Sequence, residues 1–164
     1  MKLPSWIYRS ERVGKNGRPF SLYKFRTLKE DFSGDFATEE SYTRFGRFLR
    51  KSKLDELPQL LNLIKGDLSL VGPRPENAEC IDLIPKDIRK ILLSVKPGLT
   101  SLSSVHFYNE EELLREDGYE VYYERIKPIK LILDCFYIEH RGLLLKLWII
   151  WRTFVLVLKS LCAA

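Results

Sequence analysis

Two adjacent carboxylates, Asp55 and Glu56, stand in the stretch RKSKLDELPQLLNLIKGDLSLVGPRPE, after Arg50 and ahead of a Gly-Pro-Arg-Pro run. Neighbours on a helix point about 100° apart, so the pair cannot share one proton. They can divide labour, one carboxylate meeting substrate and the other a cation. The spacing predicts a helix from Glu56 to Ile64, with Asp55 as N-cap and Pro58 inside the first turn. Free amides and the dipole at such a start attract anions. They lower a carboxylate's pKa, keep it nucleophilic and also seat a phosphoryl group. Carboxylate attack on phosphorus requires the repelling negative charge to be neutralised. Mg²⁺ held by Glu56 and phosphate oxygens would supply part of that, and Arg50 and Arg74 the rest by bidentate contacts. Pro73 and Pro75 fix the backbone on both sides of Arg74 and reduce the entropy lost in holding it. A plainer reading stays open on these residues alone: a cap, a solvated glutamate and a rigid turn.

The chain that must position them has 164 residues, enough for one domain with a real core and too few for two. With 45% hydrophobic and 30% charged residues, wholesale disorder is excluded. The net charge of +5 favours anionic partners such as phosphates, nucleic acid or an acidic membrane surface. Cys80, Cys135 and Cys162 are odd in number and lack C-x-x-C spacing, which argues against a disulfide framework or a structural zinc. His106 and His140 have no ligand-spaced neighbours. No P-loop, G-x-G-x-x-G, H-E-x-x-H or G-x-S-x-G is present, so phosphate would be handled by another arrangement. Aromatic residues are not spaced as a stacking platform, and nucleic acid is not expected as a partner.

The expected fold is α+β, a small and mostly helical single domain over residues 1–164 with an N-terminal β-hairpin and amphipathic interfacial helices. WIYRSERV and FSLYKFRTL, joined by GKNGRP, form the hairpin. Asp31 to Glu40 reads as a polar loop, and Thr43 to Ser52 as a basic amphipathic helix with Phe45, Phe48 and Leu49 on one side. Lys65-Gly66-Asp67 stops the next helix, and LSLV is a short strand. A helix broken at Pro85 spans Asn77 to Val95, KPGLTSLSS is a loop, and Glu110 to Glu116 is a short acidic helix. From Pro128 a helical region continues through Leu158, with no strand–helix–strand series. The N-terminus carries no apolar run of a signal peptide. Residues 143–158 are apolar almost all round, interrupted by Lys146 and Arg152, and fall short of the roughly 20 residues that cross a bilayer. Trp148 and Trp151 suit a helix lying among lipid headgroups, and a core helix fits the same residues equally well.

YKFRTL, TRFGRFLRKSKLDELPQLLNLIKGDLSLVGPRPE and KPGLTSLSS, taken in this order, resemble the bacterial sugar transferases, the monotopic phosphoglycosyl transferases. The likeness runs from about Ile7 to Lys159. It implies transfer of a phosphosugar from a UDP-sugar to a polyprenyl phosphate such as undecaprenyl phosphate, with release of UMP. The implied setting is the start of surface polysaccharide or glycoconjugate assembly at the cytoplasmic face of the bacterial inner membrane. On this resemblance Asp55 is the nucleophile that carries a covalent phosphosugar, and Glu56 binds Mg²⁺. Lys24, Arg26, Arg50 and Arg74 meet phosphate, and Pro73 and Pro75 form the elbow. The expected partners are the UDP-sugar, the polyprenyl phosphate and the membrane surface, with a homodimer left open. Family members carry a membrane hairpin just before the segment that SWIYRSERVG resembles, and Met1 begins close to that segment. Two expectations follow: anchoring by amphipathic helices and the apolar C-terminal segment, or a truncated, catalytically incompetent remnant that binds a membrane surface or a partner. TSLSS stands where many members have TGWAQ and resembles a TSLAS variant.

Overall fold

The structure is a computed structural model and describes residues 4–29, 39–109 and 121–163. The N-terminal hairpin forms as expected. Strands β1 (Ile7–Val13) and β2 (Pro19–Phe25) pair antiparallel, from Ile7 opposite Phe25 to Val13 opposite Pro19. Asn16 and Gly17 close the turn with φ of 58° and 76°, the left-handed region that Asn and Gly tolerate best. The Asn16 amide donates to the Leu93 carbonyl, tying the hairpin tip to a helix 77 residues further along.

Helix α1 (Arg44–Lys51) starts where Thr43 accepts a hydrogen bond from the Gly46 amide. Gly46 has a packing reason to lack a side chain: a Cβ there would lie 2.1 Å from the Thr27 carbonyl oxygen. Of the expected apolar stripe, Leu49 is buried, while Phe45 and Phe48 stack on each other at the surface. Helix α2 (Gln59–Lys65) ends at Gly66, which adopts φ 80° and donates to the carbonyls of Asn62 and Leu63.

The stretch KPGLTSLSS is not a loop. Gly98–Thr100 forms strand β4, parallel to β3 (Ser69–Val71), and Leu102–His106 forms helix α5, capped by Ser101. Helices α3 (Ala78–Asp82) and α4 (Lys86–Leu92), divided at Pro85 as expected, connect the two strands. One strand–helix–strand crossover is therefore present. Strands of three residues are too short to show a period, so the sequence pattern hid it.

A π-helical turn (Tyr122–Ile126) leads into α6 (Lys127–His140), with Pro128 in its first turn. The helical region then breaks at Arg141 and Gly142 before α7 (Leu143–Ala163). The expected acidic helix at Glu110 to Glu116 lies outside the described residues. So does most of the expected loop at Asp31 to Glu40, where Glu39–Ser41 forms a short 3-10 turn.

Two clusters make the core. Val71, Val105, Tyr137 and Ile149 form one, and Ile81, Ile84 and Leu92 the other; Ile138 of α6 packs against both. Helix α7 has one buried and one exposed face, and the buried one bears out the core reading of the C-terminal segment. Ile149 is fully buried, while Leu144, Trp151 and Phe154 face outward. Among the described residues, no helix is long and apolar enough to cross a membrane. Cys80 and Cys135 are half-buried, and Cys162 is exposed.

Candidate active site

Asp55 and Glu56 lie in a single 3-10 turn (Leu54–Glu56), one step before α2 rather than at its N-cap. Lys53 enters the turn at φ 58°, and Pro58 takes the cap position of α2. Leu57 and Pro58 stand between the carboxylates and α2, so the free amides of its first turn do not set their charge. Two other forces do, and they push the neighbours apart.

Burial acts first on Glu56 and favours its neutral form. The positive charges of Lys24, Arg74 and Lys53 overcome it and hold the carboxyl at a pKa of about 2. Lys24 on β2 donates to Glu56 Oε1 at 2.7 Å. At Asp55 burial wins. That side chain is 4% exposed, and burial raises its pKa from 3.8 to about 6 against the opposing charges of Lys24, Arg50 and Lys53. The expectation that position lowers the Asp55 pKa is therefore corrected, because the carboxylate sits in packing and not on open helix-end amides. Asp55 Oδ1 is buried without a hydrogen-bond partner among the described residues. Attack from this oxygen requires the 3-10 turn, or the side chains over it, to move.

A polar cleft opens beside the pair, lined by Arg12, Lys24, Glu56, Gln59, Arg74 and Glu76. Pro75 reaches its wall, and Pro73 accepts a hydrogen bond from the Gly98 amide, which pins the elbow to β4. Arg50 lies over the Tyr42 ring at 5.2 Å, and Lys53 over the Tyr108 ring at 5.7 Å; the charge of each bears on Asp55. Tyr108 itself meets Lys53 and the Ser160 hydroxyl. Arg26 does not join the group. Its Nε donates to the Ser5 carbonyl and its amide to the Trp6 carbonyl, because it lies beyond the end of β2 and folds back along the N-terminal turn.

Residues 2–160 match the family model for bacterial sugar transferases. The chain belongs to the bacterial sugar transferase family. It is 40% identical to a sugar transferase of Bacillus subtilis, EpsL, over 71% of this chain and 59% of that protein. It is 33% identical to the UDP-glucose:undecaprenyl-phosphate glucose-1-phosphate transferase of Caulobacter vibrioides, over 94% of this chain and 54% of that protein. It is also 33% identical to the UDP-N-acetylgalactosamine-undecaprenyl-phosphate N-acetylgalactosaminephosphotransferase of Aeromonas hydrophila, over 90% of this chain and 34% of that protein. The chain spans roughly a third to three-fifths of the length of these relatives.

In this family member the sequence reading missed the residue that aligns hairpin and turn. Asn62 is fully buried; its Oδ1 accepts the Tyr23 amide, and its Nδ2 donates to the Ser21 carbonyl and to Asp67. These bonds fix β2 against α2 on either side of Leu22, and so set Lys24 opposite Glu56. Gln59, 3% exposed, lines the cleft one turn earlier on the same helix. The signal was present. An amide inside the apolar run LLNLI has to find partners wherever it is buried.

The donor set fits magnesium. Mg²⁺ takes oxygen ligands and is commonly held by one or two carboxylates together with substrate phosphates. Glu56 offers an ionised carboxylate at the cleft, while Asp55 Oδ1 is buried and does not line it. No cluster of three or more His, Cys, Asp or Glu occurs among the described residues, so the protein alone offers no closed cage.

Proposed function

We propose that this chain transfers a sugar 1-phosphate from a UDP-sugar to a polyprenyl phosphate such as undecaprenyl phosphate, through a phosphosugar carried on Asp55. The observation that supports it is the pair of unlike carboxylates. Glu56 is held ionised by Lys24 and Arg74 at a polar cleft, and beside it stands a buried Asp55 flanked by Lys24, Arg50 and Lys53.

The chemistry balances in two displacements. An Asp55 oxygen bonds to the sugar-bearing phosphorus, the bond from that phosphorus to the bridging oxygen breaks, and UMP leaves with the electron pair. An oxygen of the polyprenyl phosphate then attacks the same phosphorus and releases the Asp55 carboxylate, giving a polyprenyl diphosphate sugar. Lys24 and Arg74 bind and orient the diphosphate and offset its charge, while Arg50 and Lys53 favour the ionised form of Asp55. Glu56 would hold a Mg²⁺ together with phosphate oxygens, and such an ion would supply further charge neutralisation.

Exposed apolar side chains support a membrane-surface setting, where a water-soluble donor and a lipid acceptor meet; the cytoplasmic face belongs to the same reading and rests on the resemblance. Leu57, Leu60, Leu61 and Ile64 are exposed around α2, and Leu144, Leu147, Trp148 and Trp151 on α7. Arg152 lies over the Trp148 ring, which places a cation beside the apolar face as headgroups favour. The test is a panel of UDP-sugars with Mg²⁺ and polyprenyl phosphate in nanodiscs, scored for UMP. Release by the wild type and not by Asp55→Asn supports the proposal. Equal release by both removes Asp55 from the chemistry, and no product with any donor favours the non-catalytic remnant.

A further inference from the structure

Proline has no amide hydrogen, so Arg74 supplies the one backbone donor of the Pro73-Arg74-Pro75 triplet. That amide donates to Oδ2 of Asp134 at 3.2 Å, on α6 and 60 residues away in sequence. The other carboxylate oxygen, Oδ1, accepts the Ser103 amide at 3.4 Å, in the first turn of α5. Asp134 is 5% exposed. Near it on α6, Tyr137 donates its hydroxyl to the Val71 carbonyl at 3.2 Å, at the end of β3. Two further backbone groups of the elbow pair with β4: the Gly72 amide donates to the Thr100 carbonyl, and the Pro73 carbonyl accepts from the Gly98 amide. The elbow is thus pinned from two sides, and Asp134 holds the Arg74 backbone itself.

A buried carboxylate is a costly way to hold a backbone, since ionising it away from water is unfavourable. Burial pushes Asp134 up to a pKa of about 6, against the pull of the Ser103 and Arg74 bonds and the Lys130 charge. An asparagine would be cheaper to bury, but it accepts through one oxygen only. Two amides from two different elements converge here, and a carboxylate accepts both.

We propose that Asp134 is a positioning residue for the phosphate-binding arginine, fixing the Arg74 backbone so that its guanidinium meets the donor phosphate beside Glu56. The proposal rests on the phosphosugar-transfer reading of Arg74. Asp134 itself touches no substrate. Misplacing a group that positions substrate by about 1 Å can cost on the order of 100-fold in rate.

Amide hydrogen exchange at Arg74 tests the contact without turnover, in the full chain. In the wild type this amide exchanges as slowly as core amides of α6; exchange at the rate of an open loop overturns the proposal. Asp134→Ala, and Asp134→Leu to fill the volume that alanine leaves, accelerate Arg74 exchange at least about tenfold, the loss expected when a charge-assisted bond goes. Unchanged exchange in both variants overturns it as well. A double-mutant cycle scored by UMP release tests the route to chemistry. Asp134→Ala slows the wild type about tenfold or more but slows Arg74→Ala less than about twofold, because Asp134 acts through Arg74. Equal slowing in both backgrounds overturns the positioning role and leaves Asp55 in place. A wild type that releases no UMP counts against the transfer reading, and exchange still decides whether Asp134 holds Arg74.

Discussion

Exchanging Asp55 for asparagine keeps the side chain's size and removes its ionisation, which makes the two pressures on this residue measurable. Burial raises the Asp55 pKa from 3.8 to about 6. A carboxyl raised on folding contributes stability that is fully present below its unfolded pKa and lost as pH climbs through the folded value. From 3.8 to about 6 the wild type therefore gives up about 3 kcal/mol, and the asparagine variant does not. For a chain of this size about 1 kcal/mol moves the melting temperature by roughly 2–4 °C. Asp55→Asn should melt about 6–12 °C above the wild type at about pH 7.5, and within about 2 °C of it at about pH 4. Asp134 and Glu56 titrate in both proteins and largely cancel in the difference. Thermal melts followed by circular dichroism, at matched ionic strength and without donor or divalent cation, read it directly. A gap that does not change with pH, or a wild type more stable than the variant at about pH 7.5, would refute a carboxylate strained by burial.

Three further outcomes follow from the same geometry. Asn62→Ala leaves the Tyr23 amide, the Ser21 carbonyl and Asp67 without their shared partner, and should cost about 2–4 kcal/mol in urea unfolding. Gly46→Ala drives a methyl group to 2.1 Å from the Thr27 carbonyl and should cost about 3 kcal/mol or more, where Gly17→Ala, with open space around it but a φ of 76°, should cost about 1–2 kcal/mol. Chelation of divalent cations should abolish UMP release and readdition of Mg²⁺ restore it, while Glu56→Gln should remain at least about 100-fold slower at saturating Mg²⁺.

Features written in neighbouring residues were legible before the fold was known. The hairpin follows from GKNGRP, the stop of α2 from Gly66, and the division of α3 from α4 from Pro85. The pairing of Glu56 with Lys24 was not legible: the sequence pointed Lys24 to phosphate and Glu56 to Mg²⁺, and the fold brings the two together at 2.7 Å from elements 32 residues apart. What escaped depends on residues far apart in the chain. Strand β4 exists because Gly98 and Thr100 find Ser69 and Val71 across the α3–α4 connection. Asp55 looked like a cap because the break between the 3-10 turn and α2, at Leu57 and Pro58, is invisible in a residue list. Its raised pKa comes from packing, which no local pattern records. Asp134 showed only as an acid within the apolar run LILDCFYI. That pattern marks a buried carboxylate without saying which amides it serves.

Covalent capture at Asp55 is the most direct test of the account. Wild-type protein mixed with UDP-sugar and Mg²⁺ in the absence of lipid acceptor, then quenched and digested, should yield an Asp55 peptide heavier by one sugar phosphate, together with a matching burst of UMP. Adding polyprenyl phosphate should discharge it. A UMP burst without that mass on Asp55, or the same mass on another residue, would contradict the account.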